Sequence, residues 1–269
     1  TLPQTLISPL NSTALRESFH FNYTLPERAK RGEVKLRFDY LEGNDPNKVT
    51  RTVVMSESYE RAGIHGVIMQ AFSVAYFLEA VDDVVPRYDL VDGTLYNMFF
   101  SYRDAGNNPP AVIEQTKFYY AGDYTLPPVF PEPSTGSYLR VNFSLKIYLP
   151  EKAYPASPVL TVIRSDGAID LGKNDYRQIE FTADVEGQNE WHNFTFAGFS
   201  ELVGLKPRIK SCKVYNLDAP SVVKLASCPD LVDGAQYRFQ FQYQDVGKND
   251  AEFKRQDPVW FAGAGTLPP

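Results

Sequence analysis

Leu90-Val91-Asp92-Gly93 is followed at fixed intervals by Tyr96, Phe100, Tyr102, Asp104, Gly106 and Asn108, then by Ala121-Gly122 and Thr125-Leu126-Pro127-Pro128. Leu231-Val232-Asp233-Gly234 repeats the series with Tyr237, Phe241, Tyr243, Asp245, Gly247, Asn249, Ala262-Gly263 and Thr266-Leu267-Pro268-Pro269. Self-similarity of this length makes the chain two copies of one module. The shared tails place the boundary between residues 1–126 and 127–269.

The repeated blocks are rich in strand and turn formers. The 269 residues include 17 Tyr, 18 Phe, 20 Pro and 17 Gly, a bias towards strands and tight turns rather than helices. Phe19, Phe21 and Tyr23 alternate with polar residues, as do Val34, Leu36, Phe38 and Tyr40, the period of a half-buried strand. Thr5-Leu6-Ile7-Ser8-Pro9 reads as an opening strand stopped by proline. Thr50–Ser58 and Ile64–Phe72 add two strands, and residues 94–104 and 112–121 form a hairpin around Ala105–Pro109. Seven strands at this spacing describe an antiparallel sandwich.

In the second copy Leu139, Val141, Phe143, Leu145 and Ile147 alternate in the same way, and the corner Leu25-Pro26-Glu27 recurs as Leu149-Pro150-Glu151. A short helical turn after each Phe-Ser is expected, capped by Ser73 and Ser200. The apolar run after Phe72 fits a longer helix equally well. Pro127, Pro128, Pro131 and Pro133 predict a short, stiff connector over residues 125–136.

The net charge of −6 disfavours nucleic acid and anionic membrane as partners, since both select clustered Lys and Arg. The most apolar run, Val67–Val81, is broken by Gln70 and Glu79 and is too short to enter a bilayer as a span. The chain opens on Thr1-Leu2-Pro3-Gln4, a near copy of the module tail, so it reads as an excerpt or processed unit of something longer.

Chemistry is sparse. Asp92-Gly93 before Tyr96, and Asp233-Gly234 before Tyr237, match a tyrosine corner, in which the hydroxyl bonds back to upstream backbone; a cation-binding acidic patch is the competing reading. Asp104–Asn108 and Asp245–Asn249 fit hairpin turns, and their spacing is not that of an EF-hand loop. His65 and His192 recur at one position and face inward, as core-edge groups. Nucleophile elbows, phosphate-cradling glycine loops and zinc-protease helices are absent from the sequence, so neither an enzyme nor a cofactor is expected.

Cys212 and Cys228, the only cysteines, fall in a stretch that lengthens the second copy. A disulfide is expected, with two separate buried thiols as the alternative. Closing a loop of about 15 residues stabilises by roughly 3 kcal/mol. Asn11, Asn22, Asn142 and Asn193 begin Asn-x-Ser/Thr sequons. Asn22, Asn142 and Asn193 fall on outward strand positions and Asn11 in a turn, so covalent glycans and a secretory route are expected.

The blocks Ile7-Ser8-Pro9, Leu25-Pro26-Glu27, Gly32–Phe38, Ala62-Gly63-Ile64-His65, Leu90–Tyr96 and Ser101–Asp104 resemble the tandem immunoglobulin/fibronectin-III-like repeats of very large surface proteins of protists, algae and some bacteria. The resemblance covers the first module, and the second at Leu149–Glu151, around His192 and from Leu231 onward. It implies an all-β pair of tandem sandwiches in extracellular arrays or fibres, with no active site.

Two functions follow as expectations. One is a structural unit of an extracellular fibre or surface filament, whose partners are copies of itself or neighbouring repeats. The other is an adhesive or receptor ectodomain binding glycan or protein through its loops. For the fibre, Leu2, Thr5, Leu6 and Ile7 are expected at an inter-unit contact, as are Thr266, Leu267, Pro268 and Pro269. Chain continuation and donation of the opening strand to a neighbour are both open routes to it.

Overall fold

The computed structural model describes residues 1–10, 14–16, 18–69, 79–166, 176–196, 209–216, 219–225, 228 and 230–263. The chain divides into two compact units, Thr1–Tyr124 and Thr125–Pro269. Ser73, Ser200, Asn11 and the tail Thr266–Pro269 lie outside the described residues. Among the described residues no helix is long and apolar enough to cross a membrane.

In the first unit β1 (Thr5–Ser8), β3 (Phe19–Leu25) and β6 (Gly63–Met69) form a sheet in the order β1-β3-β6. The second sheet runs β2-β9-β8-β4-β5-β7, from β2 (Ala14–Leu15), β4 (Lys35–Gly43), β5 (Arg51–Met55), β7 (Val81–Val85), β8 (Thr94–Tyr102) and β9 (Ala111–Tyr120). The opening segment serves both sheets. β1 pairs antiparallel with β3, the chain passes the cis Ser8-Pro9 bond, and β2 pairs parallel with β9.

The second unit repeats this plan. β10 (Val129–Glu132), β12 (Phe143–Leu149) and β15 (Glu190–Phe196) make the smaller sheet. The larger runs β11-β19-β18-β13-β14-β16-β17, from β11 (Tyr138–Leu139), β13 (Val159–Arg164), β14 (Tyr176–Phe181), β16 (Ile209–Asn216), β17 (Ala219–Leu225), β18 (Gln236–Tyr243) and β19 (Glu252–Phe261). β10 ends at the cis Glu132-Pro133 bond and β11 runs parallel to β19.

Period-2 alternation decides what the two sheets bury. Thr94, Tyr96, Met98, Phe100 and Tyr102 of β8 all point inward, as do Tyr237, Phe239, Phe241 and Tyr243 of β18. Phe100 meets Phe21 and Tyr23 of the opposite sheet at ring-centroid distances of 5.3 and 4.8 Å. Phe241 meets Phe130 at 6.4 Å and Phe181 meets Phe194 at 5.3 Å. Aromatic contacts of this kind add about 0.5–1.5 kcal/mol each to the area they bury. Both units are therefore β-sandwiches with aromatic cores.

Two expectations change. The boundary lies two residues earlier, because Thr125 is fully buried in the second unit and Leu126 bonds to it. The proline-rich stretch 125–136 contains β10, with Phe130 in the core. Cys212 does not sit in an inserted segment: β16 pairs with β14 as β7 pairs with β5, and among the described strands only β17 is additional. Val81–Val85 and Ala14–Leu15 are strands that the sequence pattern did not mark.

Candidate functional site

In each unit the first two residues are held by side chains from three distant parts of the sandwich. Leu2 donates its N–H to Glu27 Oε1 at 2.7 Å, and its carbonyl accepts the Tyr102 hydroxyl at 2.6 Å. Asp104 donates its backbone N–H to Thr1 Oγ1 at 3.4 Å, and the Thr1 amine lies 3.1 Å from Asp104 Oδ2. The second unit uses the same parts. Leu126 N–H donates to Glu151, the Tyr243 hydroxyl donates to the Leu126 carbonyl at 2.6 Å, and Asp245 N–H donates to Thr125 Oγ1 at 3.3 Å.

This latch recognises the threonine hydroxyl and the leucine backbone. The Leu2 side chain itself is 55% exposed. Glu27 and Glu151 are the glutamates of the repeated Leu-Pro-Glu corner, and Tyr102 and Tyr243 end β8 and β18. Burial first, and then the Glu27 carboxylate, push the Tyr102 hydroxyl up to about 12, so it stays a donor at ordinary pH.

Asp104 and Asp245 are oriented by the turn that follows. Asn108 donates its side-chain amide to Asp104 Oδ2 at 2.8 Å and its backbone N–H to Oδ1 at 3.1 Å; Asn249 does the same to Asp245 at 2.8 and 3.2 Å. The Asn108 amide is the main reason that the Asp104 carboxyl titrates well below the usual carboxylate range. The Asp-x-Gly-x-Asn spacing thus closes a turn and aims a backbone N–H at the incoming threonine. Among the described residues no three His, Cys, Asp or Glu side chains gather as metal ligands would.

Tyr96 and Tyr237 lie on the same strands as Tyr102 and Tyr243. Tyr96 Oη accepts the Val91 N–H at 3.1 Å and Tyr237 Oη accepts the Val232 N–H at 2.8 Å, which is tyrosine-corner geometry. The carboxylates beside them turn to the ends of the last strands. Asp233 Oδ1 accepts the Gly263 N–H at 2.7 Å, and Asp92 lies so close to Gly122 that a Cβ there would come within 2.7 Å. This links Asp-Gly to the distant Ala-Gly of each repeat.

His65 is half-buried, its ring 5.0 Å from that of Tyr23, and its Nε2 lies 2.7 Å from the Arg61 carbonyl. His192 is buried at the matching register position. Cys212 and Cys228 form a disulfide that ties β16 to the segment after β17. Asn142 and Asn193 are exposed, whereas Asn22 is half-buried.

The opening strands do not leave their units. Thr5 and Leu6 pair with Thr24 and Tyr23 of β3, and Val129 pairs with Tyr148 of β12. Ile7 is 47% exposed.

Neither a protein-family model nor a curated protein matches the chain. Among solved structures it is similar to dimeric latent PorU from Porphyromonas gingivalis, at 12% identity and a TM-score of 0.26 over 97% of this chain. It spans only 20% of that chain's length. The fibronectin(III)-like modules of Clostridium thermocellum CbhA match at 9% identity and a TM-score of 0.24, over 99% of this chain and 97% of theirs. A marsupial T cell receptor matches at 10% identity and a TM-score of 0.29, over 100% of this chain and 74% of its own.

Proposed function

We propose that each unit is a structural repeat of an extracellular array, in which units follow head to tail along one chain. The observation that carries this reading is the latch. Two units that differ in much of their sequence keep the same Thr-Leu entry and the same Glu, Tyr and Asp that receive it. A binding module has no need of a conserved way in. The polymer route supported is chain continuation rather than strand donation, because β1 and β10 pair inside their own units. The disulfide is compatible with an oxidising compartment.

Negative-stain microscopy of the native material tests the proposal. Continuous filaments with a repeat set by the unit support it. Discrete short rods favour the ectodomain reading, in which the loops bind glycan or protein. Deleting residues 1–9 removes both the first latch and β1; loss of the first unit's fold with the second intact supports in-chain assembly.

A further inference from the structure

The outer face of each three-stranded sheet pairs a glycan acceptor with exposed apolar side chains. In the first unit β3 is the middle strand and turns His20, Asn22 and Thr24 outward, opposite Ile68, Gly66 and Ile64 of β6. Ile64 and Ile68 are 78% and 54% exposed, and Ile7 on β1 adds a third isoleucine on the other side. Asn22 lies between them. Its Nδ2 donates to Ser8 Oγ at 2.9 Å, and a Cβ on Gly66 would come within 2.9 Å of its Oδ1. Glycine at position 66 therefore leaves the space that the Asn22 amide occupies.

In the second unit the register pair equivalent to Asn22 and Gly66 is Lys146 and Asn193. The acceptor has moved to the neighbouring strand without leaving the spot. Trp191, in the position of Ile64, is 48% exposed, with the Tyr148 ring at 5.1 Å and Lys146 Nζ at 4.6 Å from its ring. Thr24 and Thr195 supply the sequon hydroxyl two residues along in each case. One position on the smaller sheet thus carries a sequon twice, from different strands, each time beside apolar side chains that the protein leaves uncovered.

We infer that Asn22 and Asn193 carry N-linked oligosaccharides whose first sugars cover these two sheet faces. The donor is an oligosaccharide linked to a lipid diphosphate, and transfer precedes the pairing of β3 with β6 and of β15 with β12. Asparagine Nδ2 bonds to the anomeric carbon, the carbon–oxygen bond to the diphosphate breaks, and the proton lost from Nδ2 leaves with the lipid diphosphate. The substituted amide keeps one N–H. The carbon-bound hydrogens of the sugar ring pack on isoleucine and tryptophan while its hydroxyls meet water. On β15, the outermost strand of its sheet, the sugar also blocks addition of a further strand. The inference does not depend on the array reading.

The test secretes the chain from a eukaryotic host beside Thr24→Ala and Thr195→Ala, which abolish the sequons and keep both asparagines. Glycopeptide mass spectrometry is expected to find Asn22 and Asn193 occupied. Loss of the Asn22 sugar should raise binding of a hydrophobic dye about twofold, and loss of the Asn193 sugar should red-shift Trp191 emission in a Trp260→Phe background. Asn22→Gln and Asn193→Gln replace any threonine variant that is not secreted. Either site empty, or both filled with dye binding and emission unchanged on removal, overturns the proposal.

Discussion

Arg51 Nη1 lies 2.6 Å from Asp45 Oδ2, and neither side chain reaches solvent. The guanidinium also donates to the carbonyls of Val49 at 2.9 Å and Tyr88 at 3.2 Å, and it stands 5.6 Å from the Tyr96 ring centroid. Arg177 holds the matching place beside Tyr237 at 5.8 Å, where it donates to the Asp230 carbonyl at 3.0 Å. A buried arginine therefore braces each tyrosine corner from two strands away in the same sheet.

Arg51→Met leaves the Asp45 carboxylate buried without its cation and is expected to cost the first unit about 3–5 kcal/mol. Adding Asp45→Asn should recover much of that loss. Trp191 and Trp260 are the chain's two tryptophans and both belong to the second unit. Urea melts followed by tryptophan emission should stay unchanged, while circular dichroism shows the earlier loss of the first unit.

Removing the latch hydroxyl by Tyr243→Phe deletes the bond to the Leu126 carbonyl. About 1 kcal/mol of destabilisation is expected, read as a lower urea midpoint of tryptophan emission. Tyr102→Phe should do the same to the first unit and leave the tryptophan signal alone. Equal loss from both signals in either variant would contradict a latch confined to one unit.

Asp104 gives the first unit a defined acid dependence. Its carboxyl is held below the unfolded value of 3.8, chiefly by the Asn108 amide. A depressed folded-state pKa contributes stability that is complete above about pH 4 and is lost as pH falls through the folded value. Stability measured from pH 2 to 6 should therefore fall less steeply below pH 4 in Asp104→Asn than in the parent chain.

Cys212 and Cys228 are 16 residues apart, and opening their bond frees that loop in the unfolded chain. Replacing both by alanine should cost the second unit about 3 kcal/mol. Peptide mapping without reductant should recover the two cysteines in one linked fragment; free thiols would refute the pairing.

The strands legible in the sequence were those with one face buried, because a period of two then shows in the residues. β8 and β18 are of this kind, and Tyr96 and Tyr237 announced the corner through the Asp-Gly before them. β2 has two residues and β7 buries only Val81 and Val84, too few to form a pattern. The place of Cys212 in the repeat is not legible because Val81–Val85 and Ile209–Asn216 share a pairing position and almost no residues.

The latch partners were present as repeated letters without roles. Glu27 and Glu151 lie in a corner motif, and the tyrosines that complete the latch come 75 and 92 residues later. Local pattern carries no information over such distances. Arg51 and Arg177 carry no local sequence signal, because a lone arginine in an alternating stretch is ordinarily a surface residue.

The parallel pairing of β2 with β9 and of β11 with β19 has a mechanical consequence. In each unit the second strand lies alongside the last one, and both run the same way. The Leu15 carbonyl accepts the Ala121 N–H at 2.8 Å, and the Leu139 carbonyl accepts the Ala262 N–H at 2.8 Å. Tension applied at the two ends pulls these strands past one another along their length. The bonds between them then share the load together, instead of opening one after another like a zip.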